Sequence, residues 1–325
     1  MLDEFLSAQG EALVGEPLKR AMLQRDLWAM FDWLAFRTVD YPREREALQQ
    51  RLAQIILRLA LTEPEIRSLS GNYHAAVNSQ TFPGEYQSED PEKAFLPADL
   101  FDSTGAWICV GRAGGPLAMT HTEEFPFFGR SVFLVFIRVP GERQDTLDFI
   151  QAMNSPGRPD VPSGMEVALV RQMLHINPAG QIISTPIIES LQVRHFPTGQ
   201  SQRFYQFILD RQRLFAGQSG GLRPAEREFP LFRSHGVDWF EFGTIEAASI
   251  PEIPQLCTSC HLDGGLGIHG IQSILSYSRA RFPLPDGERP ILSESAPERE
   301  AQLVIDWKVK HLSWQELQAI LNLQP

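Results

Sequence analysis

Lysine is almost missing from this chain. Only Lys19, Lys93, Lys308 and Lys310 stand among 29 basic residues, and 40 acidic residues leave a formal net charge of −11 over 325 residues. The preference for arginine is compositional and carries no functional reading, but the net charge does. Binding a phosphate backbone needs clustered positive charge, so nucleic acid is not an expected partner. Long apolar runs are missing too. No stretch approaches the roughly 18 residues that a bilayer demands, so no membrane-spanning segment is expected. Three cysteines, Cys109, Cys257 and Cys260, are too few for a disulfide-stapled scaffold. The opening "MLDEFLSAQGEALVGEPLKR" has neither a basic start nor an apolar core, and does not read as a secretory signal. The expectation is a cytosolic protein, or an exported one whose leader lies outside this chain. No repeat or low-complexity tract stands out.

What is present suffices for a core, since 43% of residues are apolar. Leu23, Leu27, Phe31 and Leu34 share one face of a helix starting near Pro17, and Leu48, Leu52, Ile55 and Leu59 do the same for a second. Trp28, Phe31, Trp33 and Phe36 read as core packing on the first helix rather than as a cofactor box. Thr62-Glu63-Pro64-Glu65 is a capping box opening a third helix, with Ile66, Leu69 and Tyr73 inward. Residues 80–104, rich in Pro, Gly, Ser and Asp, predict a long surface loop. "VFLVFIRV" (132–139) reads as a strand buried on both faces. The runs flanking "NPAG" read as a hairpin, and "ESLQVRHF" (189–196) as a further strand. Residues 202–216 show helical spacing through Phe204, Ile208, Arg211 and Phe215, with Gly217 just past the end. Ser295-Ala296-Pro297-Glu298 and Ser313-Trp314-Gln315-Glu316 predict two more capped helices. The pattern is an α+β protein: an N-terminal helical layer, a central, mostly antiparallel sheet with helices, then a loop-rich segment followed by helices. A boundary near residue 245 divides an α+β portion, 1–245, from a segment 246–325; "TIEAASIPEIPQ" serves as a linker or packs.

The chemistry lies in "PQLCTSCHLDGGLGIHG", residues 254–270. Cys257-Thr258-Ser259-Cys260-His261 is CxxCH, and it resembles the haem-attachment motif of c-type cytochromes. The resemblance is confined to this motif. The remainder resembles bacterial proteins that carry a single such motif. It implies that Cys257 and Cys260 add to the two porphyrin vinyl groups and that His261 is the proximal iron ligand. Gly264, Gly265 and Gly267 would let backbone approach a flat ring. The segment departs from small cytochromes in two respects: Pro251 and Pro254 interrupt any helix before the motif, and the last methionine, Met173, lies upstream of it. The resemblance therefore implies a bis-histidine or open haem. His269 is eight residues on, a span of roughly 26 Å when extended, and is the candidate second ligand; His235, His311 and Tyr277 are the others.

The same atoms admit a zinc clip, with Cys257, Cys260 and His269 joined by His261 or Cys109. A redox dithiol is the weaker alternative, because Gly264-Gly265 makes a poor helix after the cysteines. Other motifs have plainer explanations. Gly217-Gln218-Ser219-Gly220-Gly221 fits GxSxG, but a helical pattern precedes it where a nucleophile elbow needs a strand. "GRAGG" (111–115) lacks the frame of a phosphate loop. Glu123 and Glu124 diverge on a solvated face. His195 reads as a satisfied core histidine, and Cys109 as a small buried apolar residue. The resulting expectation is an exported, periplasmic protein with one haem c and a role in one-electron transfer with a redox partner protein. The alternative is a non-redox binding or structural protein with zinc, which would be cytoplasmic. No acid–base constellation supports an enzyme assignment.

Overall fold

Buried apolar stripes at helical spacing build the first layer. The computed structural model describes residues 1–36, 41–123, 127–155, 159–197, 203–225, 228–230, 249–251 and 291–321. After a short α1 (Leu2–Ser7), α2 (Pro17–Phe36) and α3 (Pro42–Arg58) bury Leu27, Trp28, Phe31, Leu52, Ile55 and Ile56 against one another and the sheet. The Thr62 capping box is present: Thr62 N–H donates to Glu65 Oε2 at 2.7 Å. The helix it opens is shorter than the apolar spacing predicts. α4 (Glu63–Ser68) stops at Leu69, whose backbone is extended (ψ 118°), and α5 (Asn72–Asn78) starts afresh beyond Gly71. Ile66, Leu69 and Tyr73 still all point inward.

Seven strands form one antiparallel sheet: β1 (Ile108–Arg112), β2 (Ser131–Arg138), β3 (Met165–Ile176), β4 (Ile182–Phe196), β5 (Arg203–Leu209), β6 (Leu222–Pro224) and β9 (Leu292–Glu294). Their order is β6-β5-β4-β3-β2-β1-β9. A short α6 (Met119–Glu123) precedes β2, which is covered on both faces, as its apolar run predicts. Leu134 and Phe136 join the helical layer, while Val135 and Ile137 join a second core under α7 (Arg143–Met153) with Phe149 and Ile150. The hairpin at Asn177–Gln181 is there too, but its second arm runs unbroken to Phe196. The predicted strand 189–196 is thus the far half of β4. Its register against β3 shifts between Arg171 and Leu174. Two short strands, β7 (Glu228–Pro230) and β8 (Ser249–Pro251), pair with each other.

The helix expected at 202–216 is a correction. Residues 203–209 form β5, and only α8 (Arg211–Phe215) is helical. Phe204 and Ile208 satisfy an i, i+4 spacing, but Tyr205, Phe207 and Leu209 alternate with them and are buried between strand neighbours. Gly217 does sit just beyond α8, with φ +68°. The GxSxG stretch is therefore a helix terminus followed by a tight turn. Gly220 (φ +57°) there lies so close to Asn72 that an added Cβ would collide with the Asn72 carbonyl oxygen. Gly220→Ala is expected to destabilise by about 1–3 kcal/mol, read as a lower urea midpoint at unchanged slope.

The 80–104 segment has no regular element, but Phe95, Leu96 and Leu100 are buried beneath it, so it straps the core rather than lying wholly on the surface. At the far end β9 closes the sheet edge. α9 (Pro297–Lys308) and α10 (Leu312–Leu321) follow; α9 packs on β2, and α10 on α2 and α3. Residues 291–321 therefore belong to the same packed body as the N-terminal helices. Ser295 and Ser313 do not cap these helices as their spacing suggests. Ala296 is the N-cap of α9, Ser295 Oγ donates to Glu300 Oε1 at 2.6 Å, and Ser313 lies one residue inside α10. Among the described residues no helix is long and apolar enough to cross a membrane.

Candidate functional site

Cys257, Cys260, His261, His269 and Tyr277, in the sequence between β8 and β9, and His235, between β7 and β8, lie outside the described residues. The structure does place Cys109 and His311. Cys109, on β1, is 6% exposed. Burial first, and then the nearby Glu300, Glu298 and Glu294, push its thiol up to about 12. His311, in the α9–α10 turn, is half-buried, with Nδ1 3.2 Å from Ser313 Oγ and its ring 5.5 Å from Phe128 and 5.1 Å from Trp307. Burial, with Lys308 adding to it, holds its pKa below the ordinary histidine value.

A charged network crosses the helical layer where β2 begins. Asp32 on α2 is fully buried, and its Oδ2 accepts from Arg130 Nη1 and from Lys308 Nζ, each at 2.7 Å. Burial would raise the Asp32 pKa, but Lys308 and Arg130 outweigh it and hold the carboxyl below its usual value. Lys308 Nζ also donates to Ser313 Oγ at 3.1 Å and sits 5.5 Å from the Trp28 ring. Burial lowers the Lys308 pKa to about 8 against the pull of Asp32. One residue along β2, Ser131 Oγ donates to Glu189 Oε2 at 2.6 Å, and Glu189 is bracketed by Arg25 Nε at 3.2 Å and Arg171 Nε at 3.1 Å.

Lys308 beside Ser313 has the composition of a serine–lysine nucleophile pair. The ammonium is fixed on Asp32, however, and the two side chains are 0% and 1% exposed, so no substrate reaches them. This network ties α2, β2, α9 and α10 together. His195 is likewise satisfied: Nδ1 lies 3.1 Å from Glu166 Oε1, and Tyr86 stacks on the ring at 3.8 Å.

A concave feature lies elsewhere on the sheet. A cleft of about 650 Å³ opens where α5, the strap, β1–β2 and the start of α9 meet. Its walls include Tyr73, Phe101, Trp107 and Phe136, and its rim carries Asp102, Arg143, Glu294 and Glu298. Tyr73 is fixed through its hydroxyl to Pro97 O at 2.6 Å, and Phe101 meets both Tyr73 and Phe136 edge-on at 5.0 and 5.4 Å. These residues come from stretches as distant as 73 and 298, with no shared motif, so spacing along the chain gives no sign of them.

No family model, no curated protein and no solved structure matches the chain.

Proposed function

We propose that this is an exported protein bearing one covalently attached haem c and serving one-electron transfer with a redox partner protein. The observation that carries the reading is the sequence Cys257-Thr258-Ser259-Cys260-His261. Its donor set suits the group. Each thiol adds S–H across one porphyrin vinyl group with no leaving group, and the imidazole that follows supplies a nitrogen to iron. When bound, haem supplies a reversible one-electron couple; the chain holds it and tunes its potential through the second ligand and burial. His269, eight residues beyond His261, is the proposed second ligand. Zinc on Cys257, Cys260 and His269 is the second reading. His261 or Cys109 completes that set.

Protein made in a periplasm with haem-attachment machinery is expected to show a Soret band and a one-haem mass increase that survives denaturation. Cys257→Ala should leave a single thioether, and the double variant with Cys260→Ala none. Colourless protein from the same cells overturns the reading, and metal lost to a chelator at low pH replaces it with zinc.

A further inference from the structure

We propose that the cleft bounded by Tyr73, Phe101, Trp107 and Phe136 binds an organic monocation, an ammonium or quaternary ammonium group carried on an apolar body. The proposal is independent of the haem reading. Size is the first argument. About 650 Å³ falls in the range of small-molecule sites, which are mostly apolar with a few placed polar groups. The walls fit that description, and they are held in place. Tyr73 is tethered through its hydroxyl, Phe101 is braced between Tyr73 and Phe136, and Trp107 is 2% exposed. Aromatic faces attract cations, and one wall residue already does so within the protein, with the Arg138 guanidinium 5.4 Å from the Trp107 ring centre.

Charge decides between a cation and an anion. The rim holds three carboxylates, Asp102, Glu294 and Glu298, against one guanidinium. That guanidinium is committed, because Arg143 donates to Gly105 O at 2.8 Å and pairs with Glu294. Asp102 Oδ1 is occupied by Thr104, whereas exposed Glu298 makes no ion pair with any described residue. The start of α9 would otherwise favour an anion, but Pro297 offers no N–H there, and Glu298 and Glu300 fill the first turn with negative charge. Cys109, also on the cleft wall, reports the same field: after burial, Glu300, Glu298 and Glu294 are what disfavour its thiolate. A ligand carboxylate would meet that field unfavourably, and an ammonium favourably.

Isothermal titration of the full-length protein at low salt tests this with three probes of similar shape: 2-phenylethylammonium, 2-phenylethanol and 3-phenylpropanoate. The ammonium is expected to bind roughly five- to tenfold more tightly than the alcohol, and the carboxylate most weakly. Glu298→Gln, a change at an exposed side chain, should bring ammonium and alcohol within about twofold. Phe101→Leu should weaken both together. Equal affinity of the ammonium and alcohol, preference for the carboxylate, no binding of any probe, or an unchanged ratio in Glu298→Gln would each overturn the proposal.

Discussion

Replacing Asp32 by alanine is expected to destabilise the folded protein by about 3–5 kcal/mol, the scale for removing one partner from a buried ion pair. The carboxylate is completely buried and is the acceptor that Arg130 and Lys308 share. Without it the ammonium keeps only the Ser313 hydroxyl among the hydrogen bonds described above, in surroundings that already lower its pKa to about 8. Lys308→Met tests the other side. It removes the group that burial disfavours, leaves Asp32 its Arg130 bond, and suits the apolar neighbourhood of Trp28 and Trp314. Its cost is expected to be under about 2 kcal/mol. Urea denaturation of the three proteins at pH 7 gives the comparison. If Asp32→Ala proves as mild as Lys308→Met, the network does not hold the helices to the sheet. One corollary has a definite sign. The folded pKa of Lys308 lies below the unfolded value of 10.5, so between about pH 8 and 10.5 the unfolded chain binds more protons, and this residue adds stability as pH rises.

Mild acid should cost the protein about 2–3 kcal/mol between pH 6.5 and 4.5 through one histidine. His175, near the end of β3, is 1% exposed, and its Nε2 accepts the Leu61 N–H at 2.9 Å where α3 gives way to α4. The ring proton therefore sits on Nδ1, which meets no partner among the described residues. Burial, with Arg20 adding and Glu65 opposing, depresses the pKa to about 3. The native ring stays neutral while the unfolded chain takes up a proton below 6.5, so stability is complete above that pH and is lost as pH falls toward 3. His121, lowered to about 4 by burial, acts in the same direction. Asp32 and Glu189, held below their usual values, weaken the fold only at lower pH. His175→Gln keeps an acceptor near the Leu61 N–H and cannot titrate. Its stability should fall less than that of the wild type over this window, with the difference being the His175 share. Parallel curves would show that His175 is not the group responsible.

Much of the scaffold is written in local pattern. The α2 and α3 stripes, the two-faced burial of β2 and the turn at Asn177 follow from period and turn chemistry, because those elements bury whichever face the pattern marks. The misreadings occurred where two periods coincide or a polar group is drawn elsewhere. Phe204 and Ile208 fit helix and strand alike. Ser313 matches a capping box but gives its oxygen to Lys308 and approaches His311. The buried charges were illegible for a different reason. Arg130 and Lys308 are 98 and 276 residues from Asp32, and no local pattern shows a charge whose partner is that distant. The scarcity of lysine was visible, but nothing in the sequence singled out Lys308 as the buried one. The cleft is assembled likewise from remote pieces, whereas CxxCH is legible because its five letters are contiguous.

The placement of β9, α9 and α10 bears on how the chain matures on the ribosome. β1 to β6 emerge first, leaving the outer edge of β1 without its neighbour and Asp32 with Arg130 but no Lys308 until residues 292–308 are made. An uncovered strand edge invites pairing with other chains. Slow translation or a stall between residues 230 and 290 should therefore expose nascent chains to aggregation more than the same delay before residue 100.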